Sequence, residues 1–190
     1  MKLSLTVPRK GSTGDYAALK VAEYINECGN QDADIIIKTD QEPAIKYLVD
    51  DIKKHRTGAK IISEDAPKSS KGSNGTVERA VQTIEGMIRT LKSAVDERYM
   101  VRISAEHLII TWLVDYAAFL VNRLEVGRDG KTSYERSRGK SATVLGVEFA
   151  ERVLWKERTT GPMQKINARW QYGVFIGVRR RSGEIYVVYH

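Results

Sequence analysis

Asp40 and Glu78 are the residues whose type and spacing say most about chemistry; thirty-seven residues separate them. Asp40 ends the run Ile35-Ile36-Ile37-Lys38-Thr39, a β-branched stretch that predicts a strand buried on both faces, as in a parallel sheet. Open α/β sheets place their ligand crevice at the C-terminal ends of such strands. Glu78 follows a Gly/Ser-rich stretch and falls in the first turn of a predicted long helix. Two carboxylates meeting there can hold Mg²⁺, which takes a few acidic oxygens together with water and substrate phosphate. Two such ions can clamp the attacking and leaving oxygens of an in-line phosphoryl displacement. The pair also suits plainer roles, with Asp40 capping the next helix and Glu78 complementing a helix N-terminus. Spacing alone favours the plainer roles.

A second set of candidates is basic. Lys68 and Lys71 sit in the loop before Glu78, and Arg79, Gln82 and Arg89 continue along the helix that Glu78 opens. Arg179, Arg180 and Arg181 precede the turn Ser182-Gly183, between alternating segments that carry Trp170, Tyr172 and Tyr189. Basic loops with aromatic support suit DNA phosphates, which they hold by charge without reading sequence. The ordinary readings stand beside these: solvated loop lysines, a Glu85–Arg89 i,i+4 pair on a solvated face, and a charged turn over an aromatic core. Asp115, inside an apolar helix, reads as a structural acid bonded to a neighbouring helix.

The elements that must position these residues follow from hydrophobic period. Lys2–Pro8 alternates and predicts a short half-buried strand; Tyr16–Cys28 has helical spacing and stops at Gly29. The strand ending at Thr39 is followed by a helix with Pro43 in its first turn, running to about His55, and by a strand at Ala59–Ser63. Strand, helix, strand in this order indicates an α/β layer. After the loop Asp65–Gly75, residues Val77, Val81, Ile84, Ile88, Leu91 and Val95 form one apolar stripe. Ser104–Leu124 is apolar nearly all round and predicts a buried helix. Thr132-Ser133-Tyr134-Glu135 has the spacing of a capping box. From Val153 onward the period becomes two, which predicts a small β module.

Composition sets the bounds. The chain has 190 residues and a net charge of +7, with 42% hydrophobic and 29% charged residues. That excludes a disulfide mini-protein and a wholly disordered chain. Residues 151–190 hold eight Lys/Arg and three Asp/Glu, so +5 of the +7 lies there, while the first 150 carry 23 basic against 21 acidic side chains. A near-neutral body with a basic appendage is the natural reading. Cys28 is the only cysteine, and His55, His107 and His190 never stand at ligand spacing with it, so neither a disulfide nor a structural zinc module is expected. No apolar run reaches the length of a membrane span, and an intracellular protein without a membrane partner is expected.

Several words of sequence resemble a family. Lys38-Thr39-Asp40-Gln41-Glu42-Pro43, then Ser73-Asn74-Gly75-Thr76-Val77-Glu78-Arg79, are similar to the second and third acidic motifs of retroviral and retrotransposon integrases, above all the copia-like, reverse-transcribing elements. The likeness continues in order through Ala117–Leu124, Gly130–Glu135 and Gly173–Gly177. It implies a ribonuclease-H-like α/β core, two Mg²⁺ ions, and cutting and joining of DNA 3′ ends, with Asp40 and Glu78 as metal ligands. The family's third ligand, an earlier Asp on the first strand, has no match here. Met1–Gly11 aligns best with the third strand, so the resemblance implies an N-terminally truncated core, without its first two strands and without the preceding zinc module.

The expectation is therefore a partial ribonuclease-H-like core at 1–100, helices completing it at 101–145, and a small basic β-barrel-like module at 146–190. Its partners would be DNA and other integrase subunits, and its location nuclear in a eukaryote. The Mg²⁺ site would be weak, and the chain by itself inactive. The alternatives are a non-catalytic protein that holds DNA or assembles with subunits, and a ribonuclease-H-like nuclease.

Overall fold

The computed structural model describes residues 1–8, 14–66, 75–156, 169–180 and 182–188. The architecture is mixed α/β. Helix α1 (Tyr16–Glu27) leads to strand β1 (Ile35–Thr39), helix α2 (Pro43–His55) and strand β2 (Ile61–Asp65). Two long helices follow, α3 (Gly75–Tyr99) and α4 (Ile109–Leu124), then the short α5 (Ser133–Arg138). Strands β3 (Arg152–Trp155), β4 (Gln171–Val178) and β5 (Ile185–Val188) close the chain.

Strands β1 and β2 pair in parallel, from Ile35 opposite Ile61 to Thr39 opposite Asp65, with α2 as the crossover. Pro43 opens α2, where its missing N–H costs nothing. The parallel layer agrees with the sequence, but its burial does not. Ile36 and its register partner Ile62 are 63% and 54% exposed, so one face of this two-stranded sheet is open. Only a layer with helices on both faces buries a β-branched run completely. β2 also lies two residues further on than the predicted strand, which brings Asp65 to its C-terminal end.

Lys2–Pro8 is not a strand. The buried Asn122 of α4 accepts the Lys2 N–H at 2.6 Å and donates to the Lys2 carbonyl at 2.6 Å, and Ser4 Oγ donates to the Val114 carbonyl at 2.6 Å. Extended backbone is thereby fixed to a helix rather than to a sheet. The second long helix likewise begins later than predicted: residues 105–108 form turns, α4 starts at Ile109, and Leu108 is 82% exposed.

The main core lies between α3, α4 and the C-terminal sheet. Val95, Leu113, Tyr116, Phe119, Phe149, Ala150, Phe175 and Ile176 make one buried cluster. Tyr116 is its hub, with ring centroids 5.5 Å from Phe119, 5.6 Å from Phe149 and 5.5 Å edge-on from Phe175. Ala117 and Ala118, small and fully buried, let α3 approach closely at Ile84. The apolar stripe on α3 is therefore used from Ile84 to Val95, while Val77 and Val81 at its start stay exposed.

β3, β4 and β5 form an open antiparallel sheet in that order, and among the described residues they do not close into a barrel. The expected barrel-like module is corrected to a three-stranded sheet whose inner face is covered by α4, so that helix supplies the wall that closure would otherwise provide. Gly173 permits the tight packing of this sheet, because a Cβ there would run into the Val187 side chain and sit 3.1 Å from Trp155 Cδ1. The capping box forms as read: Thr132 Oγ1 accepts the Glu135 N–H at 3.1 Å, and Glu135 Oε2 accepts the Thr132 N–H at 2.7 Å. Gly139 then ends α5 in the left-handed conformation, φ 67°.

Candidate functional site

Asp40 stands immediately past the C-terminal end of β1 and is exposed. Its Oδ1 accepts the backbone N–H of Glu42 at 3.3 Å, which holds the turn into α2. The capping role is thus present in part, although the N-cap position itself belongs to Glu42. The strand ends beside it are tied together: Thr39 O accepts the Ala66 N–H at 2.8 Å, and Gln41 Nε2 donates to Ala66 O at 3.3 Å. Glu78 is in the first turn of α3, also exposed.

Two further acids lie at the end of the parallel pair, and the sequence reading passed over them. Glu64 pairs with Lys38 at 3.2 Å, and Asp65 with Lys46 at 2.8 Å. Their signal was hidden by placing β2 too early, which left Asp65 in the loop. Among the described residues no three acids, histidines or cysteines come together in a group able to hold a metal ion. Asp40 and Glu78 offer the hard oxygens that Mg²⁺ prefers, but two carboxylates fall short of the three-ligand set that the family likeness implies. Among the described residues a two-ion site is not complete.

On α3, residues Glu78, Gln82, Glu85 and Arg89 follow one another at steps of four, three and four, and all are exposed, as is Arg79. They are opposed on the helix by the buried Ile84 and Val95. The Glu85–Arg89 pair forms at 3.8 Å with both side chains mostly in solvent, so it restrains Arg89 only loosely. Lys68, Lys71 and Arg181 lie outside the described residues.

The two described arginines at the end of β4 differ sharply. Arg179 is 61% exposed and 3.1 Å from Glu184. Arg180 turns inward, with 17% side-chain exposure, and its Nη2 bonds Asp115 Oδ1 of α4. Asp115 is therefore the structural acid expected, although its partner comes from a strand end and not from a helix. Burial pushes its carboxyl above the ordinary range, and the Arg180 guanidinium works against that rise. Arg56, which nothing in the sequence marked, is buried after α2, and its Nη2 donates to the carbonyls of Asn30, Gln31 and Ala33 at 2.7, 3.2 and 2.9 Å. It clamps the α1–β1 connection and so fixes where β1 begins.

No protein-family model matches the chain, and no curated protein matches it. One solved structure that it resembles is the cryo-EM structure of the simian T-cell lymphotropic virus intasome in complex with the PP2A regulatory subunit B56 gamma. The chain matches one polypeptide of that assembly with a TM-score of 0.45 and 16% identity, over 95% of its own length and 63% of the other's. It therefore spans less than two thirds of the solved chain. A superposition this loose neither fixes the fold nor assigns an activity. Among the described residues no helix is long and apolar enough to cross a membrane.

Proposed function

We propose that this chain is an integrase-type protein of a copia-like retrotransposon, which holds DNA and carries two carboxylates, Asp40 and Glu78, of a Mg²⁺-dependent DNA-joining site on a ribonuclease-H-like core. The observation that carries the reading is placement: Asp40 directly follows a parallel strand and Glu78 opens a long helix, both with exposed side chains. The ordered family words support it, since they fall on α4, the α5 capping box and β4. In this reading residues 1–100 and 101–145 belong to the core. Residues 151–190 carry +5 of the net +7, and the described strand β4 packs against α4. Arg79, Gln82, Arg89 and Arg179 are the described candidates for DNA contact.

A specific observation favours a second reading for the chain by itself. In this second reading the chain holds DNA without joining it, and what supports it is that among the described residues no group of three acids, histidines or cysteines forms. The two activities separate in one experiment. A fluorescently labelled duplex end is titrated with the protein at several salt concentrations, and the same mixture is assayed for strand transfer in Mg²⁺ or Mn²⁺, beside an RNA–DNA hybrid. The expected result is binding that weakens steeply with salt, with neither joined product nor hybrid cleavage. Joined product from this chain alone contradicts the two-ligand account, and no binding at low salt contradicts the DNA reading altogether.

A further inference from the structure

Arg123 of α4 is half buried, and among the described residues no carboxylate pairs with it. Its guanidinium lies 3.6 Å over the Phe119 ring and 4.6 Å from the Tyr134 ring of α5. Its Nη1 donates to the Phe119 carbonyl at a long 3.4 Å, and its other N–H groups make no hydrogen bond among the described residues. Rings hold a guanidinium by its face, which leaves the edge, where the N–H groups point, available to an acceptor.

Two more arginines come to the same place. Arg138 ends α5 one turn beyond Tyr134, on the same side of that helix. It is exposed and makes no hydrogen bond or ion pair among the described residues. Arg180 arrives from the end of β4 and shares the walls of one cleft with Arg138, and its own charge is met by Asp115 of α4. Burial holds the Arg123 guanidinium below its ordinary range; Tyr134 works against this, while the charges of Arg180 and Arg138 add to it. Arginine keeps its proton even so. Once Asp115 has offset Arg180, the charges of Arg123 and Arg138 remain. Outside the described residues the sequence holds a single acid, Glu157.

A dianion fits this surplus. Like charges gathered in a partly desolvated place repel, and an anion between them removes that cost. Guanidinium forks match oxyanions through paired N–H···O bonds. A phosphate monoester brings about two negative charges and three terminal oxygens, where a carboxylate brings one charge and two oxygens. We propose that Arg123 and Arg138, with Arg180 beside them, bind a dianionic phosphate group. Free inorganic phosphate and the terminal phosphate of a nucleic-acid strand share that chemistry. The inference rests on these α4 and α5 side chains and not on the integrase reading, whose failure would leave it standing.

The test titrates inorganic phosphate into the full chain at fixed ionic strength, against a matched chloride series, and follows the arginine Nε–Hε signals by nuclear magnetic resonance. The Arg123 signal is expected to shift and saturate. Arg138→Gln, at an exposed residue, should keep the fold and weaken binding at least about tenfold. Arg102→Gln, also exposed but outside the cluster, should leave binding unchanged. A second arm compares an oligonucleotide bearing a 5′-phosphate with the same strand lacking it. A preference for the phosphorylated strand that Arg138→Gln removes supports the proposal and identifies a strand end as the source; saturation by inorganic phosphate without that preference supports it with the free ion as the source. An Arg123 signal unmoved by inorganic phosphate and by the phosphorylated strand overturns the proposal. Binding that Arg138→Gln leaves intact, or that Arg102→Gln weakens as much, overturns it equally.

Discussion

Arg180, in the turn after β4, bonds the Asp115 carboxylate of α4, so a cation from the basic C-terminal segment is engaged inside the molecule. The pair joins two elements sixty-five positions apart in the chain. Arg180 also lies 5.7 Å from the Tyr24 ring, which brings α1 to the same place. Arg179 and Arg180 thus divide by position, and neighbours of identical type have different work.

Arg180→Ala should destabilise the fold, whereas Arg179→Ala should not. Removing one partner of a buried ion pair costs about 3–5 kcal/mol, and with Asp115 44% exposed the expectation falls to about 1–2 kcal/mol. Arg179→Ala, at an exposed site, should stay within about 0.5 kcal/mol. Urea unfolding of the two variants checks this, and a double-mutant cycle with Asp115→Asn should return a coupling energy for Arg180 alone.

DNA affinity should sort the same arginines differently. Each phosphate contact removed lowers the slope of log K against log salt by about 1. Arg89→Ala and Arg179→Ala are each expected to lower it, because their side chains are 71% and 61% exposed. Arg180→Ala, measured where the variant is folded, should leave the slope unchanged. Anisotropy titrations between about 50 and 200 mM salt read this directly.

Local signals were legible in the sequence and long-range ones were not. Thr132 and Glu135 and the Pro43 helix start depend only on neighbours a few residues away, and both appear as read. The parallel strand at Ile35–Thr39 was legible from its composition, yet its exposed face was not, since that depends on which other layers are present. Lys2–Pro8 failed as a strand because Asn122, about 120 residues away, claims the Lys2 backbone. For the site, sequence located Asp40 and Glu78 at an element end and an element start. It did not find Asp65, because a two-residue shift of β2 decides whether that acid is in the loop or at the strand end.

Phe175→Ala on β4 and Leu113→Ala on α4 should each cost about 2–5 kcal/mol, since both side chains are fully buried in one cluster. The sheet and the helices should also unfold together. Trp112 and Trp155 report α4 and β3 by fluorescence, while far-ultraviolet circular dichroism is dominated by the helices. Coincident urea transitions by the two probes are expected for the parent chain and both variants; separate transitions would show that the sheet is an independent unit.

Acid stability should depend on Asp96. Its carboxylate accepts from Lys92 Nζ at 2.6 Å and from the Ile103 N–H at 2.9 Å, and the Lys92 bond first, then the backbone bond, holds it below its usual 3.8. A depressed folded-state value means that the native state binds its proton later than the unfolded chain. The stabilisation is therefore complete above about pH 4 and is lost as pH falls through the lowered value. Asp96→Asn should be less stable than the parent at pH 6, with the difference shrinking toward pH 2. Urea midpoints across that range measure it, and a difference independent of pH would contradict the assignment.

Paramagnetic broadening tests the proposal that Asp40 and Glu78 act on one cation. Mn²⁺ is titrated into isotopically labelled protein, and amide signals are followed by nuclear magnetic resonance. Residues 39–41 and 76–79 are expected to broaden together at the same Mn²⁺ concentration, and Asp40→Asn or Glu78→Gln is expected to abolish the effect at both places. Broadening confined to one of the two segments, or unchanged by either substitution, would show that the two carboxylates do not share a metal ion.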